Sequence, residues 1–268
     1  ALNWSSDRQG SLGAGPSIPL NTLGDVILSA LRGITSTLDP SGVYLKIITG
    51  LRLPHMLMLM LVGAALAGSG GAYQGLFRNP LADPFLIGIS SGAGLGAVMA
   101  ILIRSPYETG GLMTVPLAAF VGGVFTVAVV TMLARVGKTV PTTNLLLAGV
   151  AVSSFTSAIT SLLMINSSGE LRRAMVWLLG GSAMSGWNPV IGVLPYILIG
   201  CGLLLTLGHP LNVMQFGDEQ AQQLGIPVRR VRRLTIVAAT MASGAAVAFV
   251  GVIGFVGMVV PHLWRRLW

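Results

Sequence analysis

The side chains of this sequence that could carry chemistry are few and scattered. Three histidines, His55, His209 and His262, lie at the ends of apolar runs, and none has HExxH spacing. A metal centre gathers its ligands on one face, so these histidines are expected to be structural or interfacial, and no metal or cofactor is assigned. Met56, Met58 and Met60 belong to a set of twelve methionines that could line a soft-metal or haem path, but flexible lipid-facing or core packing is the better explanation. The single cysteine, Cys201, excludes an intrachain disulfide. Gly137-Lys138-Thr139 has the ending of a phosphate-binding loop, yet Met132 stands where the pattern needs glycine, so no ATP site is expected. Gly92-Ala93-Gly94-Leu95-Gly96 lacks the strand, the acidic partner and the spacing of a dinucleotide loop.

The eight carboxylates say more by their positions. Asp7, Asp25 and Asp39 precede the first long apolar run; Asp83, Glu108, Glu170, Asp218 and Glu219 fall in connectors or at helix starts. None falls in the middle of an apolar run. An ion-coupled secondary transporter usually keeps an ionisable relay there, so that alternative is disfavoured. An intramembrane enzyme or sensor is disfavoured too, because no catalytic grouping of His, Asp or Cys falls within the runs.

The elements that must position these groups are membrane helices. Of 268 residues, 53% are hydrophobic and 9% charged, with mean hydropathy +0.80, where soluble domains carry about 25% charged residues. Spans need roughly 20 apolar residues each, and clear ones lie at 54–76, 84–103, 113–134, 143–165 and 190–208. The uncharged stretch from Leu234 to Trp264 would make one helix of roughly 46 Å, too long for a core of about 30 Å. A hairpin turning at Gly251, Gly254 and Gly257 is expected instead, giving about seven spans in an all-α polytopic bundle. Residues 1–50, with an amphipathic patch from Leu23 to Leu31, are expected as an external N-terminal segment, and 51–268 as the transmembrane domain.

Charge sets the orientation. The net charge of +8 comes from residues flanking the spans and forms no nucleic-acid stripe. An external start puts Arg78, Arg135, Lys138, Arg229, Arg230, Arg232, Arg233, Arg265 and Arg266 inside, and leaves Arg104, Arg172 and Arg173 outside with Arg52 at the start of the first span.

Small residues recur at fourfold spacing in two runs, Gly63-Ala67-Gly71-Gly75 and Gly88-Gly92-Gly96-Ala100, each a smooth stripe for close helix approach. Ser90 and Ser91 follow Gly88, while Ser153, Ser154 and Ser157 stripe the fourth span; they suit either a translocation path or ordinary packing. Gly217 to Gly225 forms a capped helix, with Asp218 and Glu219 in its first turn, Gly225 at its end and Pro227 beyond. Ala221 and Leu224 are expected to present one small apolar face.

Several ordered motifs resemble the FecCD-type permeases of type II ABC importers for iron-siderophores, haem and cobalamin. They are Leu51-Arg52-Leu53-Pro54, Gly63-Ala64-Ala65-Leu66-Ala67, Gln74-Gly75-Leu76-Phe77-Arg78-Asn79-Pro80-Leu81-Ala82-Asp83-Pro84 and Gly88-Ile89-Ser90-Ser91-Gly92-Ala93. Leu145-Leu146-Leu147-Ala148-Gly149, Trp177-Leu178-Leu179-Gly180-Gly181 and Gly254-Phe255-Val256-Gly257-Met258-Val259-Val260-Pro261-His262 continue the match in order.

The resemblance implies a homodimeric permease of the cell inner membrane, with ten spans per subunit and a path between the subunits. It implies cytoplasmic ABC ATPase subunits contacting Asp218, Glu219, Ala221, Leu224 and Gly225, and a periplasmic or lipid-anchored substrate-binding protein docking at Arg52 and His55. Membrane lipid is a further expected partner and nucleic acid is not. The subunit itself would be no enzyme. His55 stands where the family often has a fixed positive charge, which makes any ion pair there pH-dependent. Relative to the family, helices are expected before Ala1 and after Trp268.

Overall fold

The computed structural model describes residues 43–103, 111–137, 140–166, 170–180 and 186–267. The patch Leu23 to Leu31 lies outside the described residues, as do Asp7, Asp25, Asp39, Arg104, Glu108, Lys138 and Thr139. The described residues form helices joined by short turns. In order these are α1 (Val43–Ile47), a π turn (Ile48–Arg52), α2 (Leu53–Phe77), a 3-10 turn (Pro84–Ile87), α3 (Ile89–Ile103), α4 (Gly111–Leu133) and α5 (Thr142–Ile165). There follow α6 (Leu171–Leu178), α7 (Trp187–Thr206), α8 (Gly208–Met214), α9 (Asp218–Gln223), α10 (Val228–Val250) and α11 (Val256–Leu267).

Five stretches are long and apolar enough to cross a membrane: Val43–Phe77, Met113–Leu133, Thr142–Ile165, Trp187–Thr206 and Val228–Val250. Ile89–Ile103 is a shorter apolar helix. The stretch Val43–Phe77 is helical throughout, so residue 51 falls inside a π turn and not at a helix start. The expected division between an external segment and the first span falls within this π turn, two residues before α2 begins at Leu53.

Two compact units are present. Of the described residues, the first holds 43–59 and 186–190, and in it the Trp187 indole donates to the Thr49 carbonyl at 3.0 Å. The second holds the other described residues, from 60 to 180 and from 191 to 267, and contains most of the helices.

In the second unit α10 is the central helix. Of its apolar window, 72% is buried, against 17–33% for the other long helices. Tyr73 of α2, fully buried, directs its hydroxyl to the Ile236 carbonyl and the Thr240 hydroxyl at 3.4 Å each. Ser69 donates to Ala65 one turn back at 2.6 Å, and its oxygen also lies 3.3 Å from the Ala239 carbonyl. Those hydroxyls give α2 polar contact with α10 where water is absent.

The stripe Gly88-Gly92-Gly96 is where α3 meets α4. A Cβ on Gly96 would lie 2.2 Å from the Ala118 carbonyl oxygen, and one on Gly92 2.5 Å from that of Gly122. Such backbone contact admits no side chain. The α2 stripe behaves differently. Gly71 and Gly75 line an open groove of about 650 Å³ beside Cys201 and Pro261, while the close approach on this helix is at Gly70, whose absent Cβ would strike the Gly257 carbonyl.

The stretch from Leu234 to Trp264 does break, at Gly251 to Phe255. Gly251 has φ +89 and lies against the Trp177 carbonyl, which a Cβ would approach to 2.4 Å. Its first arm is longer than expected, because α10 begins at Val228 and takes in the arginines.

Candidate functional site

The site is assembled around α9. Gly217 enters it with φ +121, and Leu224 and Gly225 leave it. Gly225 N–H donates to Gln222 O at 3.0 Å and Ile226 N–H to Ala221 O at 2.9 Å. That pair of reversed bonds is a Schellman closure, and it requires the φ of +81 found at Gly225. The helix and both its ends are as the sequence implied.

Its faces are not. Ala221 is fully buried and joins the core with Leu211, Met214, Val228 and Val231. Leu224 is 69% exposed. The expected shared face of Ala221 and Leu224 is therefore corrected: Leu224 is already the C-cap, with φ −82 and ψ 10, and turns outward as the chain leaves the helix. The outward surface consists of Glu219, Gln220, Gln222, Gln223, Leu224 and Gly225, with exposed Phe216 just before it.

Asp218 anchors this knob. Its Oδ2 accepts from Arg232 Nη2 at 2.7 Å, and its Oδ1 lies 3.6 Å from Arg78 Nη2. Arg232 Nη1 also donates to the Val140 carbonyl at 3.1 Å. One carboxylate thus ties α9 to the end of α2, to α10 and to the residue pair leading into α5. Arg78 reaches it from a left-handed backbone, φ +50. Nearby, Gln215 donates to Gly75 O at 2.8 Å, and Gln74 donates to Met258 O at 3.0 Å while accepting from Arg265. Sequence reasoning placed Arg78 and Arg232 only as inside charges. Their convergence depends on residues 140 and 14 positions from Asp218, which no local pattern encodes.

Arg52 and His55 lie in the first unit. Arg52 closes the π turn and is half-buried; His55, three residues on, is exposed. Both occupy one end of a long helix, at spacing that puts them on neighbouring turns.

The five serines do not form one site. Ser91 donates to Gly88 O at 3.0 Å, and Ser90 beside it is half-buried. Ser153 faces inward, with its hydroxyl 3.2 Å from where a Gly88 Cβ would stand. Ser154 and Ser157 are exposed, and Ser154 donates to Val150 O at 2.9 Å. Adjacent residues on a helix point about 100° apart, so Ser153 and Ser154 separate into a packed and an open position.

Asp83 caps the 3-10 turn, its Oδ1 accepting from Phe85 N–H at 2.8 Å with Pro84 at the first position. Burial pushes this carboxyl above the usual carboxylate range, opposed by backbone N–H groups of Phe85 and Met258. Among the described residues no three His, Cys, Asp or Glu side chains are grouped to hold a metal.

Apolar helices long enough to span, joined through a charged knob at one end, define a multi-pass α-helical protein of the cell inner membrane. The chain belongs to the FecCD transport family, which it matches over residues 15–268. It is 40% identical to the uncharacterized ABC transporter permease protein YvrB of Bacillus subtilis, over 86% of this chain and 65% of that protein. It is 43% identical to the cobalamin import system permease protein BtuC of Halobacterium salinarum, over 81% and 58% of the two chains. With the hemin transport system permease protein HmuU of Yersinia pestis it shares 39% identity, over 80% and 65%. The chain thus spans about three fifths of the length of these relatives. A metal-chelate type ABC transporter solved in an inward-facing conformation superposes with TM-score 0.75 at 30% identity, covering 91% of this chain and 78% of that one.

Proposed function

We infer that this chain is the membrane-embedded permease subunit of an ATP-driven importer and that its cargo is a metal chelate: an iron-siderophore, haem or cobalamin. The observation that carries this reading is the α9 knob. It exposes Glu219 and Leu224 while Asp218 binds it to Arg78, just past the end of α2, and to Arg232 on α10. A push on such a knob reaches α2 and α10 directly, which suits a subunit driven by a separate ATPase. The relatives named for cobalamin and hemin import support the cargo class.

In this reading the permease works as a homodimer, ATPase subunits engage α9, and a binding protein docks at Arg52 and His55. Ser154 and Ser157, open on α5, face the path or the second copy; Ser90, Ser91 and Ser153 support them by packing. Asp83, Glu170, Asp218 and Glu219, the carboxylates among the described residues, all lie outside the helix middles, which gives a proton or sodium relay no foothold there.

The test is reconstitution of the full permease in liposomes with its ATPase and binding protein. Uptake of chelate should require ATP and be indifferent to ion gradients. Uptake driven by a proton or sodium gradient without ATP would overturn the assignment.

A further inference from the structure

Between α4 and α10 runs an open groove of about 810 Å³. The α10 side is Arg229, Arg232, Arg233, Ile236, Val237 and Met241, spaced so that one helix face supplies them all. The α4 side descends from Arg135 through Thr131 and Val124 to Phe120. The groove is thus graded: guanidinium groups crowd one end, and the rest is apolar.

The charge at that end is unbalanced. Asp218 is the carboxylate of the rim, and it already binds Arg232 and Arg78. Arg135, Arg229 and Arg233 are exposed and have no carboxylate partner among the described residues. Arg135 spends only its Nε, on the Gly137 carbonyl at 2.9 Å. Three forked donors remain for an anion with several oxygens.

The length fits as well. From Arg229 to Met241 is twelve residues of α10, roughly 18 Å at the helical rise, slightly more than half of a hydrocarbon core of about 30 Å. Both helices are long and apolar enough to span, so the cationic end lies at a membrane surface and the apolar end near the midplane. An occupant must carry a negative head and an apolar tail about one leaflet long.

We propose that this groove binds one anionic phospholipid, its phosphate held by Arg135, Arg229 and Arg233 and an acyl chain laid along Val124, Val237 and Met241. Asp218 and Gln222 of α9 also border the groove, so the headgroup sits beside the coupling knob. Lipid composition of that leaflet would then bear on how firmly the knob is held.

Native mass spectrometry of the full permease in detergent tests this, with phosphatidylglycerol and phosphatidylcholine of identical chains as probes. The wild type should retain one phosphatidylglycerol per chain in preference to phosphatidylcholine. Arg229→Gln with Arg233→Gln should weaken phosphatidylglycerol retention about fivefold for each arginine lost, whereas the paired Lys variants should keep it. Met241→Trp, which leaves every arginine and fills the apolar floor, should lower retention of the same lipid. Equal retention of both lipids, or Gln variants that bind like wild type, would overturn the proposal. Displacement of the lipid by soluble glycerophosphate would also overturn it, by showing a phosphate site without a tail. So would Gln variants that lose the ATPase subunit while retaining lipid, since the arginines would then serve a protein partner.

Discussion

Asp218 Oδ2 and Arg232 Nη2 stand 2.7 Å apart, and the arginine is 15% exposed while the aspartate is 34% exposed. The pair sits between full burial and the open surface, so its worth lies between those limits. Asp218→Asn leaves Arg232 mostly enclosed and short of a charge partner. The expected loss is about 1–2 kcal/mol, reduced from the several kcal/mol of a fully buried pair by the solvent at Asp218. Thermal unfolding in detergent should show a lower midpoint for Asp218→Asn than for Glu219→Gln, whose carboxylate is exposed and unpaired among the described residues.

Ala221 and Leu224 should respond in opposite ways to the same substitution. Ala221→Glu forces a carboxylate into a site without space or partner, at a cost of several kcal/mol, and should reduce the yield of folded permease. Leu224→Glu changes an exposed side chain and should leave folding intact while abolishing substrate-stimulated ATP hydrolysis. Size-exclusion profiles and liposome hydrolysis measured together separate the two. Normal coupling in Leu224→Glu would remove this surface from the transmission path.

At the other end of α2, Arg52→Glu should weaken association with the substrate-binding protein, most at low salt, as expected of a rim charge. Titrating binding across ionic strength checks this. Equal affinity at low salt would exclude Arg52 from the docking surface.

Cysteine substitution distinguishes the two faces of α5. Ser154→Cys and Ser157→Cys should react with a water-soluble thiol reagent in at least one nucleotide state, and Ser153→Cys, turned toward Gly88, should be protected. The Cys201→Ser background keeps the readout clean. Reaction at position 153 but not at 154 would reverse the assignment.

Asp83 gives a pH dependence with a defined sign. Its folded pKa lies above the unfolded value, so between the two the folded state binds more protons than the unfolded one. Stability from this group is therefore full below the unfolded pKa, near 4, and declines as pH rises through the raised native value. Asp83→Asn keeps an oxygen to cap Phe85 N–H and removes the titration. Melting temperature across acid pH should fall less steeply in the variant; parallel curves would show that burial of the carboxylate contributes nothing.

What the sequence disclosed were features with a local period or an intrinsic conformational demand. Gly92 and Gly96 marked a helix contact because fourfold spacing alone builds a smooth stripe. Gly225 marked a helix end because its positive φ excludes most other residues. The overlong run before Trp264 had to break, and its glycines located the break. The α2 stripe went astray because Gly70 and Gly71 both fit a small-residue pattern, and only the neighbouring Gly257 decides between them. Ala221 misled because a six-residue helix holds too few apolar positions to define an inner face. The Asp218 linkage was hidden for a different reason: opposite charges attract wherever the fold brings them together, and sequence distance does not record it.

The contact between α3 and α4 has a mechanical consequence. Two helices that touch carbonyl to α-carbon at Gly92, Gly96 and Gly122 cannot slide or roll against each other without collision. They move as one lever. Relative motion of helices has to be taken up elsewhere, where the backbone is irregular, and the five residues from Gly251 to Phe255, seated on the end of α6, are one such stretch.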